Sequence, residues 1–326
     1  MNKVCEILGT QYPIIQGAMA RIADSALAGA VSGGGGLGII AAGGASGDWL
    51  REEIKKAREI TDKPFGVNIM LLAPNVEELI DVVIEEKIPV VTTGAGNPSQ
   101  YIPRLKEHGI KVVPVVSNIA LAKRVERAGA DAVVAEGSEA GGHIGDTTTM
   151  ALIPQMVDAL QIPVIAAGGI ADGRGIAAVS MLGAQGIQVG TRFIVAKECT
   201  VAQTYKDAIL KAKDSSTVET GRSTGHPVRV IKNKLARQIL QLEKQNADEE
   251  TINQLCTGTL GKAVVDGDVD YGSVMSGQIA GLVNKEQPAA EIIEEMFKEA
   301  AEINENRNCI CRTGSPVPGH GEGSLR

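Results

Sequence analysis

The chain has 326 residues, a formal net charge of −7 and only 2% aromatic residues. That length supports a large single core or one core with a smaller appendage, while the acidic balance and the scarcity of rings to stack on bases argue against a nucleic-acid partner. The longest apolar runs, Ile110–Val116 and Ile162–Ile170, are too short to cross a bilayer; with no signal-peptide pattern at the start, the expected location is the cytosol, with no membrane contact.

Short apolar runs recur at intervals of some twenty to thirty residues. In chain order they are Tyr12–Gly17, Leu37–Ala42, Phe65–Met70, Val90–Thr93, Lys111–Val116, Ala132–Ala135, Val164–Ala167 and Gly186–Val189. Pro13, Pro64, Pro89 and Pro163 sit at or near four of their starts, where a strand tolerates proline. Their near-continuous apolarity, rather than alternation, indicates strands covered on both faces. Between them, Asp48–Ile60 and Asn75–Glu86 carry apolar residues at helical spacing, and Asn118–Ala128 and Asp172–Leu182 open on residues suited to N-caps. Eight strands, each followed by a helix, predict a (β/α)8 TIM barrel, with an open doubly wound sheet as the main rival.

The pattern stops after the eighth run. Val201–Ala212 can be the eighth barrel helix, Asp214–Val228 is polar and turn-rich, Ile231–Gln245 and Glu249–Thr257 read as helices, and Gly258–Gly281 is glycine-rich. These residues predict a helical subdomain or lid over 196–285, laid on a barrel of 1–195 plus 286–303, with a last helix near Ala289–Ile303 packing back on the barrel. Residues 304–326 read as a disordered tail or an appended segment. The five cysteines are scattered and odd in number, which argues against a disulfide framework, and Cys309-Ile-Cys311 lacks a second ligand pair for a metal.

In such barrels the chemistry sits at the carboxyl ends of the strands. Here those ends read Gln16-Gly-Ala-Met19, Asn68-Ile-Met70, Thr92-Thr-Gly-Ala-Gly96, Glu136 through His143, Ala166-Ala-Gly-Gly-Ile170 and Gln188-Val-Gly-Thr-Arg192. Gly168-Gly169 and Gly190-Thr191 close the last two barrel strands, the usual phosphate position of phosphate-binding barrels; alternatively they only make tight turns. Asn68 can donate and accept at a heteroaromatic edge, or simply cap. Glu136 can accept ribityl or ribose hydroxyls, or pair with a cation such as Arg192. Met19 is either core packing or a neighbour of a flat ring, with Gly17 and Ala18 leaving room. His143 is set among glycines at the expected barrel mouth, and imidazole exchanges protons near neutral pH. His108 reads as a helix cap, and His226 before Pro227 is ambiguous. Arg222, Arg229, Lys232, Lys234 and Arg237 form a stretch free of carboxylates between Glu219 and Glu243, either a solvated face or a dock for an acidic partner.

These segments resemble the FMN-dependent barrels of the nitronate monooxygenase and enoyl-acyl carrier protein reductase II family. Gln16–Met19, Glu136–His143, Ala166–Ile170 and Gln188–Phe193 carry the resemblance, which covers residues 1–303. Gly225–Lys234 and Gly272–Gly281 look like its FabK-type reductase branch. The resemblance implies FMN with its phosphate at Gly168, Gly169, Gly190 and Thr191, its ring bordered by Gly17, Ala18, Met19 and Asn68, and its ribityl chain at Glu136. Met275, Ser276, Gly277 and Gln278 would reach over it, and His143 matches the family's active-site histidine. It further implies NADH or NADPH as co-substrate, reduction of trans-2-enoyl-acyl carrier protein in the last step of fatty-acid elongation, a monovalent-cation stimulus and a homodimer. The acidic carrier would dock at Arg229, Lys232, Lys234 and Arg237. The competing expectations are a nitronate monooxygenase, using oxygen with the histidine as base, and a non-catalytic flavin- or phosphate-binding regulator.

Overall fold

In the computed structural model, which describes residues 2–313, all eight apolar runs are strands of one parallel sheet. Eleven strands occur among the described residues: β1 (Ile14–Gln16), β2 (Ile39–Ala41), β3 (Gly66–Met70), β4 (Val90–Gly94), β5 (Lys111–Val116), β6 (Val133–Glu136), β7 (Gly142–His143), β8 (Val164–Ala167), β9 (Gly186–Val189), β10 (Thr217–Thr220) and β11 (Val228–Ile231). The barrel order is β1-β9-β8-β6-β5-β4-β3-β2. The two end strands meet through Leu37, whose N–H donates to the Ile14 carbonyl at 2.9 Å and whose carbonyl accepts from Gln16 N–H at 2.9 Å. The buried Gln16 side chain adds a staple there, its Oε1 accepting from Ile39 N–H at 3.0 Å. The sheet therefore closes on itself, and the open-sheet alternative falls.

Strands this short can be apolar throughout because each face meets a different core. Ile15, Ile39, Val90, Val113, Val134 and Ile165 point into the barrel and form one buried cluster with Val4 and Leu8 of the helix Lys3–Leu8. That helix plugs the amino end of the barrel and leaves the carboxyl end for a site. The other face of the strands packs on the outer helices in a second, larger core. Burying each such aliphatic side chain contributes about 1.5–3 kcal/mol. The expected N-caps are present: Asn118 Oδ1 accepts from Leu121 N–H at 2.9 Å, and Asp172 Oδ1 from Arg174 N–H at 3.0 Å.

The eighth outer position is filled differently from the expectation. The helix Gln203–Leu210 packs on the one-turn helix Gln278–Leu282 and belongs to the appendage. The helix Ala289–Thr313 instead packs between Ser25–Gly33 and Gly173–Met181 and completes the ring. Gly173 allows that approach, since a Cβ there would lie 2.4 Å from Ala300 N. This last helix runs past the expected end at 303, because a segment already docked on the barrel extends at little cost once nucleated; the remainder of the expected tail, 314–326, lies outside the described residues.

The appendage is not purely helical. Besides Lys234–Lys244, Glu249–Cys256 and Thr259–Val264, it holds a three-stranded antiparallel sheet in the order β10-β11-β7. The polar stretch expected as turns supplies β10, and the residues expected to open a helix at Ile231 end β11. The third strand, β7, belongs to the loop after barrel strand β6. Val228 pairs with His143 and Arg229 with Gly142. The appendage thus holds the histidine loop by main-chain pairing.

Candidate active site

The carboxyl ends of the barrel strands open into a cavity of about 550 Å³. Gly17, Ala18 and Met19 after β1, Asn68 on β3, Glu136 on β6, Gly168 and Gly169 after β8, and Gly190 and Thr191 after β9 all line it, as does His143. Asn68 Nδ2 donates to Thr92 Oγ1 at 2.9 Å, which fixes the amide and frees its oxygen for a ligand. Met19 is partly buried against the barrel core and also lines the cavity.

Gly168 and Gly169 adopt φ of +88° and +74°, the left-handed region that favours glycine. A Cβ on Gly168 would also lie 2.8 Å from the Gly137 carbonyl. Among the described residues, the main-chain N–H groups of Gly168, Gly169, Gly190 and Thr191 donate to no protein acceptor. Unpaired donors away from water are costly; Thr191 is buried, Gly168 and Gly190 are half-buried and Gly169 is exposed, and together the four line one wall as a cradle for an anion. Among the described residues no lysine or arginine lines the cavity, so an anion there would be held by main-chain amides. The cradle does not use the long helix after β8, whose first N–H groups are occupied by Asp172 and by Glu299 Oε2, 2.7 Å from Gly173 N. These residues fit the phosphate of a flavin mononucleotide.

Glu136 is half-buried, with its accessible edge in the cavity. Among the described residues no side chain pairs with it; Arg192 turns away, bonding the Lys285 carbonyl at 3.3 Å and Gln287 Oε1. Burial without a cation pushes the Glu136 carboxyl up to about 7. A carboxylate so placed gains from any hydroxyl donor a ligand brings. Glu139, the second carboxylate of the loop, is already used: it accepts from Thr149 N–H at 2.9 and 3.0 Å and from Thr149 Oγ1 at 3.0 Å, capping the helix Thr149–Ala159.

His143 stands at the cavity edge on β7. Although His143 is exposed, partial desolvation by the cavity walls, and then the neighbouring His226 imidazole, lower its pKa and favour the neutral imidazole. Its loop is pinned from below by Arg229, whose Nε and Nη2 donate to the Ser138 carbonyl at 3.1 and 3.0 Å and which also pairs with Glu219 Oε1 at 2.5 Å. From above, the segment 275–278 bridges the loop to the cradle. Gly277 N–H donates to Thr191 Oγ1 at 2.9 Å and Gln278 N–H to the Glu139 carbonyl at 2.9 Å. The fully buried Tyr205 holds the same segment by donating to the Met275 carbonyl at 2.7 Å.

Met275 and Gly277 line the cavity; Ser276 and Gln278 do not. Successive residues of an extended segment point to opposite sides, so Ser276 is buried behind the wall and Gln278 is exposed beyond it. His226, ambiguous in sequence, also lines the cavity, while His108 caps its helix with Nδ1 2.9 Å from the Arg104 carbonyl. Of the basic stretch, Arg229 is only 4% exposed and spent on the latch just described, so it cannot meet a partner. Arg222 pairs with Glu219 and Asp146, and Lys234 with Asp270 at 2.8 Å. Lys232, Lys234 and Arg237 remain exposed.

The nitronate monooxygenase family model matches residues 2–81 and 75–299. The chain is 37% identical to a probable nitronate monooxygenase of Staphylococcus saprophyticus, with 93% of this chain and 98% of that protein covered. Among solved structures it is similar to FabK from Thermotoga maritima, at 49% identity and a TM-score of 0.92, covering 95% of this chain and 99% of the other. A nitroalkane oxidase from Streptomyces ansochromogenes is 29% identical with a TM-score of 0.83, covering 94% and 99%.

Proposed function

The chain belongs to the nitronate monooxygenase family, and within it we propose that this protein is an FMN-dependent, NAD(P)H-consuming reductase of trans-2-enoyl thioesters, with enoyl-acyl carrier protein as the natural form. Family and fold support a flavin-dependent oxidoreductase. The finer reading rests above all on one observation: the likeness to FabK runs at 49% identity over nearly the whole of both chains, against 29% for the nitroalkane oxidase. The FabK-like segments Gly225–Lys234 and Gly272–Gly281 supply His226, Met275 and Gly277, the wall facing His143.

The amides of Gly168, Gly169, Gly190 and Thr191 would hold the FMN phosphate, Glu136 the ribityl hydroxyls and Asn68 the ring edge, with Gly17, Ala18 and Met19 beneath the ring. When bound, FMN supplies hydride transfer between a nicotinamide and the β-carbon of the enoyl group. His143 would donate a hydrogen bond to the thioester oxygen, where enolate charge develops; one such donor lowers a barrier by about 2.7–4 kcal/mol. A neutral imidazole is a poor proton source by itself, so the proton for the α-carbon comes through a water that His143 orients. Met275 and Gly277, on the appendage side of the cavity, would limit the access of bulk water to the bound group and so strengthen these interactions.

Lys232, Lys234 and Arg237 offer an acidic carrier an exposed cationic face beside the cavity. Reversing Lys232 and Lys234 to Glu is expected to raise KM several-fold for the carrier-bound substrate and to leave KM for a coenzyme A thioester where it was. An equal rise for both substrates would remove the docking role.

The names of the curated relatives favour a second reading, oxidation of alkyl nitronates with oxygen. Steady-state assays separate the two. A reductase consumes NAD(P)H in step with crotonyl thioester and takes up little oxygen with ethylnitronate. Oxygen uptake with nitronate and no crotonyl-dependent NAD(P)H loss would assign the protein to the second class.

A further inference from the structure

Behind His143 lies a second cavity of about 230 Å³, walled mostly by residues of the appendage. It shares His143, His226, Leu260 and Met275 with the first cavity, so the two adjoin at the imidazoles. Its far wall is built by the inner face of Lys234–Lys244, by Ile252 on Glu249–Cys256 and by Val230 on β11. Leu235, Ile239 and Ile252 form a small buried cluster of their own, separate from both barrel cores. Among the described residues no aspartate, glutamate, lysine or arginine lines the cavity. The Asn233 amide in its wall is fully engaged, donating to the Val269 and Gly272 carbonyls at 2.9 and 2.8 Å and accepting from Ala236 N–H at 2.9 Å. Five hydroxyl or amide side chains, Thr220, Thr224, Asn253, Thr259 and Ser273, also line it, so an occupant is uncharged and lays its apolar part on the aliphatic face just named.

Empty volume against an aliphatic face is destabilising, and a larger side chain at Ala236 would fill it. The chain keeps the space open beside its reacting centre instead. We propose that this cavity is an acyl-tail pocket that takes the alkyl end of a medium-chain 2-enoyl thioester, with the face of Leu235, Ala236 and Ile239 setting the chain length. The assignment rests on the reductase reading given above. At about 30 Å³ per water-sized group, the volume takes on the order of seven methylene-sized groups beyond the reacting carbons, a chain of about ten carbons. The helix Lys234–Lys244 then has two jobs: its inner face bounds the tail, and its outer face carries Lys234 and Arg237.

Cys256, exposed at the edge of this cavity, gives a probe that needs no mutation and no turnover. The full-length, flavin-loaded protein is alkylated with iodoacetamide at pH 8.5, and labelling of the Cys256 peptide is followed by mass spectrometry with saturating butyryl- or decanoyl-coenzyme A. Decanoyl-coenzyme A is expected to slow labelling at least tenfold, and butyryl-coenzyme A less than twofold. In parallel, Ala236→Phe is expected to lower the ratio of kcat/KM for ten-carbon over four-carbon enoyl thioesters at least tenfold. Equal labelling rates with both thioesters overturn the pocket, whatever the protein reduces. Failure to reduce even the four-carbon enoyl thioester would instead overturn the reductase reading, and the labelling result would still decide the pocket.

Discussion

The barrel rim and the appendage build the two sides of one cavity by opposite means. The rim works through its backbone: Gly168, Gly169, Gly190 and Thr191 contribute main-chain N–H groups and almost no side-chain bulk. The appendage works through side chains and through pairing, placing His226, Met275 and Leu260 opposite the rim and fixing His143 by the β7–β11 ladder. The histidine is encoded in the barrel but positioned by the appendage. Binding and chemistry are thus separable, and substitutions on one side should leave the function of the other measurable.

The largest expected effect is on chemistry alone. His143→Ala should lower turnover of enoyl thioester by about 10²–10⁴-fold, while flavin content and the rate of flavin reduction by NAD(P)H stay near wild type. Stopped-flow measurement of each half-reaction checks this, and a loss confined to flavin content would place His143 in binding. On the rim the reverse should hold. Gly168→Val forces a branched residue into φ of +88° and a Cβ against the Gly137 carbonyl. Such strain costs of order 1–3 kcal/mol before the cradle itself is distorted, so flavin affinity is expected to fall about 100-fold, as read by equilibrium dialysis.

The latch between the two regions should give an intermediate effect. Arg229→Met removes a buried guanidinium that joins β11 to the Ser138 carbonyl and Glu219. Glu219 is only partly buried and keeps Arg222 as a partner, so the loss costs less than for a fully buried pair, on the order of 1–3 kcal/mol. The expected outcome is a lower Tm and a kcat reduced about tenfold with flavin still bound, because the His143 loop loses its support. Unchanged kcat in a folded variant would show that β-pairing alone positions the histidine.

The smallest effect is on pH dependence. The Glu136 carboxyl, raised from 4.5 to about 7, binds its proton more tightly in the folded protein than in the unfolded chain. Stability of the flavin-free protein should therefore decline as pH rises from about 4.5 through 7, by on the order of 2–3 kcal/mol at most. Glu136→Gln should flatten that decline, raising Tm at pH 8 but not at pH 4.5, and should weaken flavin binding above pH 7, where the carboxylate would otherwise accept ribityl hydroxyls. Thermal melts at the two pH values decide it.

The same division explains what could be read from the sequence. Strands covered on both faces leave continuous runs such as Lys111–Val116 and Val164–Ala167, and helices capped by Asn118 and Asp172 announce their own starts. The cradle was legible because left-handed turns select glycine. The appendage was not, because its sheet is assembled from distant pieces. β7 has two residues and no period, β10 is only half-buried, and the apolar residues of β11 run on into the next helix. His226 was ambiguous for the same reason: its importance lies in facing His143, a long-range fact. Arg229 looked like surface charge in a basic stretch, and only its burial against the Ser138 carbonyl shows otherwise.

The most direct measurement is an anaerobic absorbance titration of the purified, flavin-loaded protein, first with NADH or NADPH and then with crotonyl-coenzyme A. Bleaching of the flavin by the nicotinamide, followed by full recovery of colour on adding the thioester without oxygen, is the expected result. Recovery only when oxygen is admitted, or bleaching only by a nitronate, would contradict it.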